Sequence, residues 1–132
     1  MSTDARISGN VGPTPVRPSD PMTTVTHLLE HLYDGGVVDT TDLARVTATD
    51  TRSVARWRAQ ASVPRRETEE RLAELRTVVD LARVVMSSDA ARLWIRAPNP
   101  DLGYEKPLDL VAAGQYRRVV NLLLALAEGV TA

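Results

Sequence analysis

Two histidines and a glutamate near the N-terminus stand at a spacing that can bind a metal ion. His27, Glu30 and His31 form an H-x-x-E-H pattern, and two histidines four residues apart on one helix can share a zinc ion. Zinc peptidases that use this pattern are much larger than the 132 residues present here, and both histidines fall on the polar side of the predicted helix. We therefore expect a solvated helix face and no metal site.

A second group of titratable side chains follows a Pro-Asn-Pro turn. Tyr104, Lys106 and Asp109 have acid or base groups, but a loop offers no desolvated pocket in which they would act on a substrate. The chain contains no cysteine nucleophile, and no glycine-rich phosphate loop follows a strand. The sequence predicts neither an enzyme nor a bound cofactor.

Positive charge is concentrated near the middle of the chain, although the formal net charge is only −1. Within a stretch of fifteen residues without an acid stand Arg52, Arg56, Arg58, Arg65 and Arg66. The planar guanidinium group suits bidentate contacts with phosphate or guanine, whereas a genome rich in G and C would also produce many arginines. This stretch is either a nucleic-acid contact or a solvated surface.

The elements that must position these residues all read as helices. Apolar residues recur by three and four, and glycine, proline and Asp/Thr caps separate the periodic segments. The predicted helices span about 22–34, 40–48, 50–60, 67–86, 89–97, 107–114 and 115–128. Because no alternating strand pattern is present, the sequence predicts an all-α fold.

Composition divides the chain into four segments. Residues 1–20 are rich in proline, glycine and small polar residues and predict a disordered tail, since they hold too little apolar surface to offset the entropy of ordering. Residues 21–64 predict a helix-turn-helix domain, 65–87 a linking helix and 88–132 a small C-terminal helical domain. The absence of cysteine and of a signal or membrane-spanning segment predicts a cytoplasmic protein.

The second and third predicted helices have the spacing of a DNA-binding helix-turn-helix. Their shared core would comprise Leu43, Ala44, Val54 and Trp57. On the outer face, Arg52 or Arg56 would read guanine, and Thr51 would lie at a helix N-terminus that favours phosphate. Arg58, Arg65 and Arg66 are placed for phosphates. The plain alternative is that three short helices merely pack together and their arginines are solvated.

Two groups of motifs resemble one known family. Asp42-Leu43-Ala44-Arg45 and the run 51–58 resemble the Xre-like helix-turn-helix, with Ala48 where that family usually has glycine. The C-terminal half is similar to the toxin-binding domain of the Xre/MbcA/ParS antitoxins, through the segments 90–95, 98–103 and 107–110, Gly114, the apolar run 119–126 and Gly129. Together the resemblance covers about residues 22–130.

The resemblance implies a partner and a set of contact residues. The partner would be a RES-domain toxin that degrades NAD, and this chain would cover its active site while the other end binds operator DNA in the promoter. The resemblance places the toxin contact at Asn99, Leu102, Gly103, Tyr104, Lys106, Glu128, Gly129 and Val130. It also implies a homodimer or a larger hetero-oligomer with the toxin. The apolar stripe on residues 67–86 is either a dimer face or is buried inside one chain.

Two other functions fit the same residues. A stand-alone helix-turn-helix transcriptional regulator would use its C-terminal domain only to dimerise and would need no toxin. A pure interaction module would carry a helix-turn-helix that no longer binds DNA, which fits the departures at Thr47 and Ala48 from the helix-turn-helix pattern.

Overall fold

A computed structural model describes the backbone of residues 21–129 and the side chains from Thr24 onward. The α-helices are α1 (Pro21–Tyr33), α2 (Thr40–Val46), α3 (Thr51–Arg58), α4 (Arg66–Val85), α5 (Ser88–Trp94), α6 (Pro107–Ala112) and α7 (Tyr116–Ala127). Short 3-10 helices lie at Asp34–Gly36 and Pro100–Leu102. This confirms the predicted all-α fold, whereas the predicted tail over residues 1–20 lies outside the described residues.

Local side-chain caps determine where several helices begin. Asp39 accepts a hydrogen bond from the amide of Asp42 and donates its own amide to the Asp42 carboxylate, forming a capping box at the start of α2. Ser87 accepts from the amide of Ala90 and begins α5. Pro107 occupies the first turn of α6, where its missing N–H leaves no helical hydrogen bond unmade.

The long helix α4 packs against most of the other helices. It contacts α1, α2, α5, α6 and α7. Its apolar stripe is buried within the chain at Leu72, Leu75, Val78, Val79 and Ala82. Of the two alternatives for this stripe, burial inside one chain is therefore the correct one, because other helices of the same chain cover it.

One continuous hydrophobic core joins the N-terminal and C-terminal halves. Its buried residues come from every helix between α1 and α7, with Leu29, Leu75 and Leu123 among the most completely enclosed. An ion pair between Arg45 of α2 and Asp109 of α6, with a distance of 2.6 Å, crosses between the halves at the surface. The predicted division at residues 64 and 87 stays a prediction, but the two halves share one core.

The histidines of the H-x-x-E-H pattern lie in different surroundings. His27 is exposed, whereas His31 is half-buried and its Nε2 lies 2.7 Å from Oδ1 of Asp80 on α4. The expectation of a freely solvated face is thus wrong for His31, which joins α1 to α4. None of the helices in the described part of the chain is long and apolar enough to cross a membrane.

Candidate functional site

The segment that follows α5 is a tight loop closed by its own backbone. The carbonyl of Asn99 accepts from the amides of Leu102 and Tyr104, at 2.9 and 2.8 Å, and its side-chain Oδ1 accepts from the amide of Asp101. The amide of Asn99 donates to the carbonyl of Glu105 at 3.1 Å, which closes the base of the loop. The loop therefore holds one shape without help from a ligand.

Two further contacts fix this loop to the body of the protein. Leu102 points into the core and is only 3% exposed. Arg118 of α7 donates to the carbonyl of Leu102 and also faces the carboxylate of Glu105. The toxin contact predicted at Leu102 stays a prediction, and because its side chain is buried under the loop only its backbone is accessible for that contact.

The other predicted toxin-contact residues of the loop reach the surface. Gly103 and Tyr104 both have left-handed backbones with φ near +65°, and the Tyr104 side chain is 73% exposed. Asn99 and Lys106 are half-buried at the two ends of the loop. The predicted surface here thus consists mainly of the Tyr104 side chain and its polar neighbours.

The remaining predicted contact residues lie at the far end of α7. Glu128 and Gly129 are exposed just after that helix, and Val130 lies outside the described residues. Arg118, which touches the loop, is ten residues before Glu128 along α7, and a helix rises about 1.5 Å per residue. The loop and the helix end are therefore separated along α7 by about 15 Å. A partner that contacts both must span that length.

The turn between α2 and α3 keeps a tight geometry although it lacks glycine. Ala48 has φ of +56°, a left-handed conformation that alanine adopts only at a cost in energy. The amide of Thr49 donates to the carbonyl of Ala44 at 2.9 Å, and the Thr47 hydroxyl donates to the carbonyl of Leu43 at 2.7 Å. These hydrogen bonds compensate for the strain at Ala48 and hold α3 against α2.

Helix α3 buries one face and presents the other to solvent. Val54 and Trp57 are buried, as the sequence predicts. The exposed side chains are those predicted to contact DNA, Thr51, Arg52 and Arg56, with Arg58 at the end of the helix and Arg65 and Arg66 beyond it. The structure therefore brings four of the six predicted DNA-contact residues onto one short exposed helix.

The arginines on and beside α3 form fewer ion pairs than the arginines in the rest of the described chain. Arg52, Arg56 and Arg65 have no carboxylate within 4 Å among the described residues, whereas most arginines outside this stretch form ion pairs. The Arg58 guanidinium lies over the Tyr33 ring, 4.1 Å from its centre. Arg66 pairs with Glu70 at 3.4 Å, with both side chains largely exposed. The α3 surface thus carries arginines that form no ion pair with a carboxylate of the described residues, although the charge of Arg52 acts on nearby Asp50.

A carboxylate lies at the N-terminus of α3, where the sequence predicts a phosphate contact. Asp50 caps this helix by accepting from the amide of Ser53 at 2.8 Å. That backbone hydrogen bond lowers the pKa of the exposed Asp50 carboxyl below its ordinary value. The ionised Asp50 carboxylate therefore places a negative charge one residue from Thr51, and this charge would repel the phosphate that is predicted to bind there.

A cluster of charged side chains that the sequence analysis missed joins α5 to the start of α2. Arg96 contacts the Asp42 carboxylate and donates to the carbonyl of Val37, and Arg92 reaches the carbonyl of Gly36 and the Asp39 carboxylate. The D-x-x-D spacing of Asp39 and Asp42 signals a helix start, but no sequence pattern pairs it with residues more than fifty positions away. These arginines fix the orientation of α5 relative to α2.

The two carboxylates of this cluster have opposite pKa shifts. Burial raises the pKa of Asp42, which is 6% exposed, more than its hydrogen bond from Asp39 and the charge of Arg96 lower it. For Asp39, burial also raises the pKa, but the hydrogen bonds from Asp42 and the two arginines together lower it. Asp42 is therefore a buried carboxylate that depends on its arginine partner.

The described residues offer little that a reaction would need. No group of three metal-ligating side chains occurs within residues 21–129. An open cleft of about 850 Å³ lies between α1 and the first half of α4, but it combines apolar side chains at its base with a mixed charged rim. The rigid exposed loop and the basic helix face are surfaces suited to macromolecules. They define a small helical binding protein.

Comparison with known proteins identifies the family. Residues 80–129 match the profile of the antitoxin Xre/MbcA/ParS C-terminal toxin-binding domain. The mycobacterial cidal antitoxin MbcA of Mycobacterium tuberculosis, and that of Mycobacterium bovis, are 48% identical over 79 residues, which is 60% of this chain and 70% of the relative. The chain belongs to the Xre/MbcA/ParS antitoxin family, whose relatives found here are antitoxins and not enzymes.

A solved structure extends the similarity over most of the fold. A chain in the crystal structure of the M. tuberculosis MbcT–MbcA toxin–antitoxin complex matches with a TM-score of 0.70 and 38% sequence identity. The match covers 84% of this chain and 96% of that chain. The similarity therefore includes helices outside the C-terminal profile.

Proposed function

We propose that this antitoxin binds and inhibits a RES-domain toxin that degrades NAD. The observation that carries the proposal is the coincidence of two features within residues 80–129, a match to the toxin-binding domain profile and a rigid loop with an exposed aromatic side chain. Similarity to an antitoxin found in a complex with a toxin supports it further. The protein needs no catalytic group of its own for this role.

Inhibition by covering the toxin's active site fits the separation between the two predicted contact regions. The loop from Asn99 to Lys106 would anchor the complex, and the segment from Glu128 onward would reach a site about 15 Å further along α7. A toxin that binds NAD needs an open cleft, and a protein segment in that cleft would compete with the substrate. Since NAD and operator DNA are both cytoplasmic, we expect the protein to act in the cytoplasm.

Co-expression with the product of the adjacent gene tests this function. We expect the two proteins to purify together as a stable complex, and growth to be rescued when the antitoxin is present. If the adjacent product neither binds this protein nor becomes less toxic in its presence, the proposal is wrong. Catalytic activity of the free toxin on NAD separates the RES assignment from a toxin of another class.

We also propose that α3 binds operator DNA. The exposed arginines without carboxylate partners support this, because uncompensated positive charge on a helix is the usual means of approaching phosphates and guanine edges. Arg52 and Arg56 would contact bases, while Arg58, Arg65 and Arg66 would contact the backbone. Because the Asp50 carboxylate repels phosphate at this surface, the affinity for DNA should depend strongly on those arginines.

Fluorescence anisotropy with promoter DNA, measured over a range of salt concentrations, tests DNA binding. Arg52→Ala or Arg56→Ala should cost about 1–3 kcal/mol and relax base preference at one position, whereas Arg58→Ala should weaken all sequences alike. Arg117→Ala is the control, since Arg117 is exposed on α7, far along the chain from α3. Binding that is absent, or that does not depend on salt, would favour a pure interaction module.

Self-association, alone or within a larger complex with the toxin, stays a prediction. The stripe on α4 cannot serve it because that stripe is covered within the chain. Val84, on the opposite side of the same helix, is 73% exposed and is the apolar residue of α4 that remains available.

A further inference from the structure

We propose that Tyr104 is the anchor of the toxin contact, an exposed aromatic side chain on a preorganised loop that inserts into an apolar pocket on the partner. This inference rests on the proposed function and adds the chemistry of the contact. It comes from the geometry of the loop between Asn99 and Lys106.

The loop backbone has few groups left for a partner. Every amide from Asp101 to Glu105 donates within the loop: to the Asn99 side chain, to the carbonyl of Asn99 twice, and to the carbonyls of Pro100 and Leu102. The carbonyl of Leu102 also accepts from Arg118. A partner therefore finds no free amide donor in residues 101–105 and must bind this loop through its side chains or its remaining carbonyls.

Tyr104 is the aromatic residue that the fold does not use. The chain has two tryptophans, three tyrosines and no phenylalanine. Trp57 is buried in the core, and the other three aromatic residues, Tyr33, Trp94 and Tyr116, are partly buried and packed against it. Tyr104 alone among these five is exposed, at 73%. Its ring adds nothing to the core and is free to bury its surface against another protein.

The backbone conformation at Tyr104 costs energy in the folded state, so folding alone does not favour a tyrosine at this position. Its φ of +65° is a left-handed conformation that glycine adopts freely and that a residue with a Cβ adopts only at a cost. The hydrogen bonds around the loop hold it there nonetheless. The result is a tyrosine whose backbone is fixed before binding, so little backbone entropy is lost on contact.

The side chains around Tyr104 indicate what the partner pocket looks like. Asp101 and Glu105 are exposed in the same loop, but Glu105 pairs with Arg118 and Lys106 follows it, so the surroundings carry charges of both signs. A buried phenol needs a hydrogen-bond partner and an apolar wall for its ring. The pocket should therefore be apolar inside, with a polar group placed to bond the phenol hydroxyl.

Substitutions at Tyr104 in the full chain, titrated against the purified product of the adjacent gene, test the anchor. Tyr104→Gly should leave the melting temperature unchanged or raise it, yet weaken binding at least about 30-fold, as loss of a central aromatic contact does. Tyr104→Phe should keep most of the affinity. Leu93→Ala is the matched control, since Leu93 is equally exposed, at 73%, on the same half of the protein, and it should bind within about threefold of the wild type.

The outcomes separate this inference from the proposed function. If the wild-type chain does not bind the toxin, the proposed function itself is wrong. If the wild type binds and Tyr104→Gly binds equally well, the toxin contact exists but Tyr104 is not its anchor. A loss for Leu93→Ala as large as that for Tyr104→Gly would also overturn the anchor, because general apolar exposure would then explain both.

Discussion

At the scale of single residues, the contact between Arg96 and Asp42 shows how a partly exposed arginine stabilises the fold by pairing with a buried carboxylate. Asp42 is 6% exposed, so its carboxylate has lost most of its water and depends on the guanidinium of Arg96 and the amide of Asp39. Arg96 also donates to the carbonyl of Val37 in the segment between α1 and α2. A single side chain thus satisfies polar groups from two elements.

Replacement of Arg96 should destabilise the fold far more than loss of an exposed arginine. Arg96→Ala leaves a buried carboxylate without its charge partner, and we expect a loss of about 2–3 kcal/mol in the free energy of unfolding, somewhat below the range for fully buried pairs because Arg96 is partly exposed. Urea denaturation followed by circular dichroism measures it.

The matched control for this substitution is Arg117→Ala on α7. Arg117 is exposed and has no ion pair among the described residues, so its loss should change the free energy of unfolding by no more than about 0.5 kcal/mol. Equal effects of the two substitutions would show that the Arg96 contact contributes little to the folded state.

At the scale of elements, the turn between α2 and α3 should gain stability from a glycine. Ala48 is exposed with φ of +56°, so Ala48→Gly relieves the left-handed strain without removing a packed side chain. We expect a gain of about 1 kcal/mol, measured by thermal denaturation. Ala55→Gly, at an exposed interior position of α3, should instead lose about 1 kcal/mol. A loss from both substitutions would contradict the strain at Ala48.

The cap of α3 gives that helix a pH dependence of known sign. Because the folded state lowers the pKa of Asp50, its ionised carboxylate stabilises the protein above the ordinary pKa of the group, and this contribution disappears as the pH falls through the lowered value. Asp50→Asn keeps the cap without the charge. We expect the wild type to melt higher than Asp50→Asn at neutral pH, and the difference to shrink as the pH falls below about 4. A difference that grows in acid would contradict this.

Sequence patterns predict the helices of this protein well because each helix begins and ends at local signals in the sequence. The caps at Asp39, Asp50 and Ser87 and the proline at the start of α6 place those boundaries within a few residues. The loop around Asn99 was predicted as a turn, but its hydrogen bonds and the burial of Leu102 depend on α7, which no local pattern reveals. The left-handed backbone at Tyr104 was unexpected because tyrosine rarely adopts it.

At the scale of the whole molecule, the two proposed binding surfaces belong to one folded unit. The core runs without a break from α1 to α7, and the Arg45–Asp109 and Arg96–Asp42 contacts join the halves at the surface. The stripe on α4 illustrates why sequence could not decide between self-association and burial: the same periodicity serves both, and only the packing of α1 and α7 against it decides.

We propose that this antitoxin protects cells from a toxin that consumes NAD. The most direct measurement follows cellular NAD and growth in cells that express the product of the adjacent gene, with and without this protein. We predict that NAD falls and growth stops when that product is expressed alone, and that both are restored when the antitoxin is co-expressed. If NAD stays constant in the absence of the antitoxin, or falls equally in its presence, the claim is contradicted.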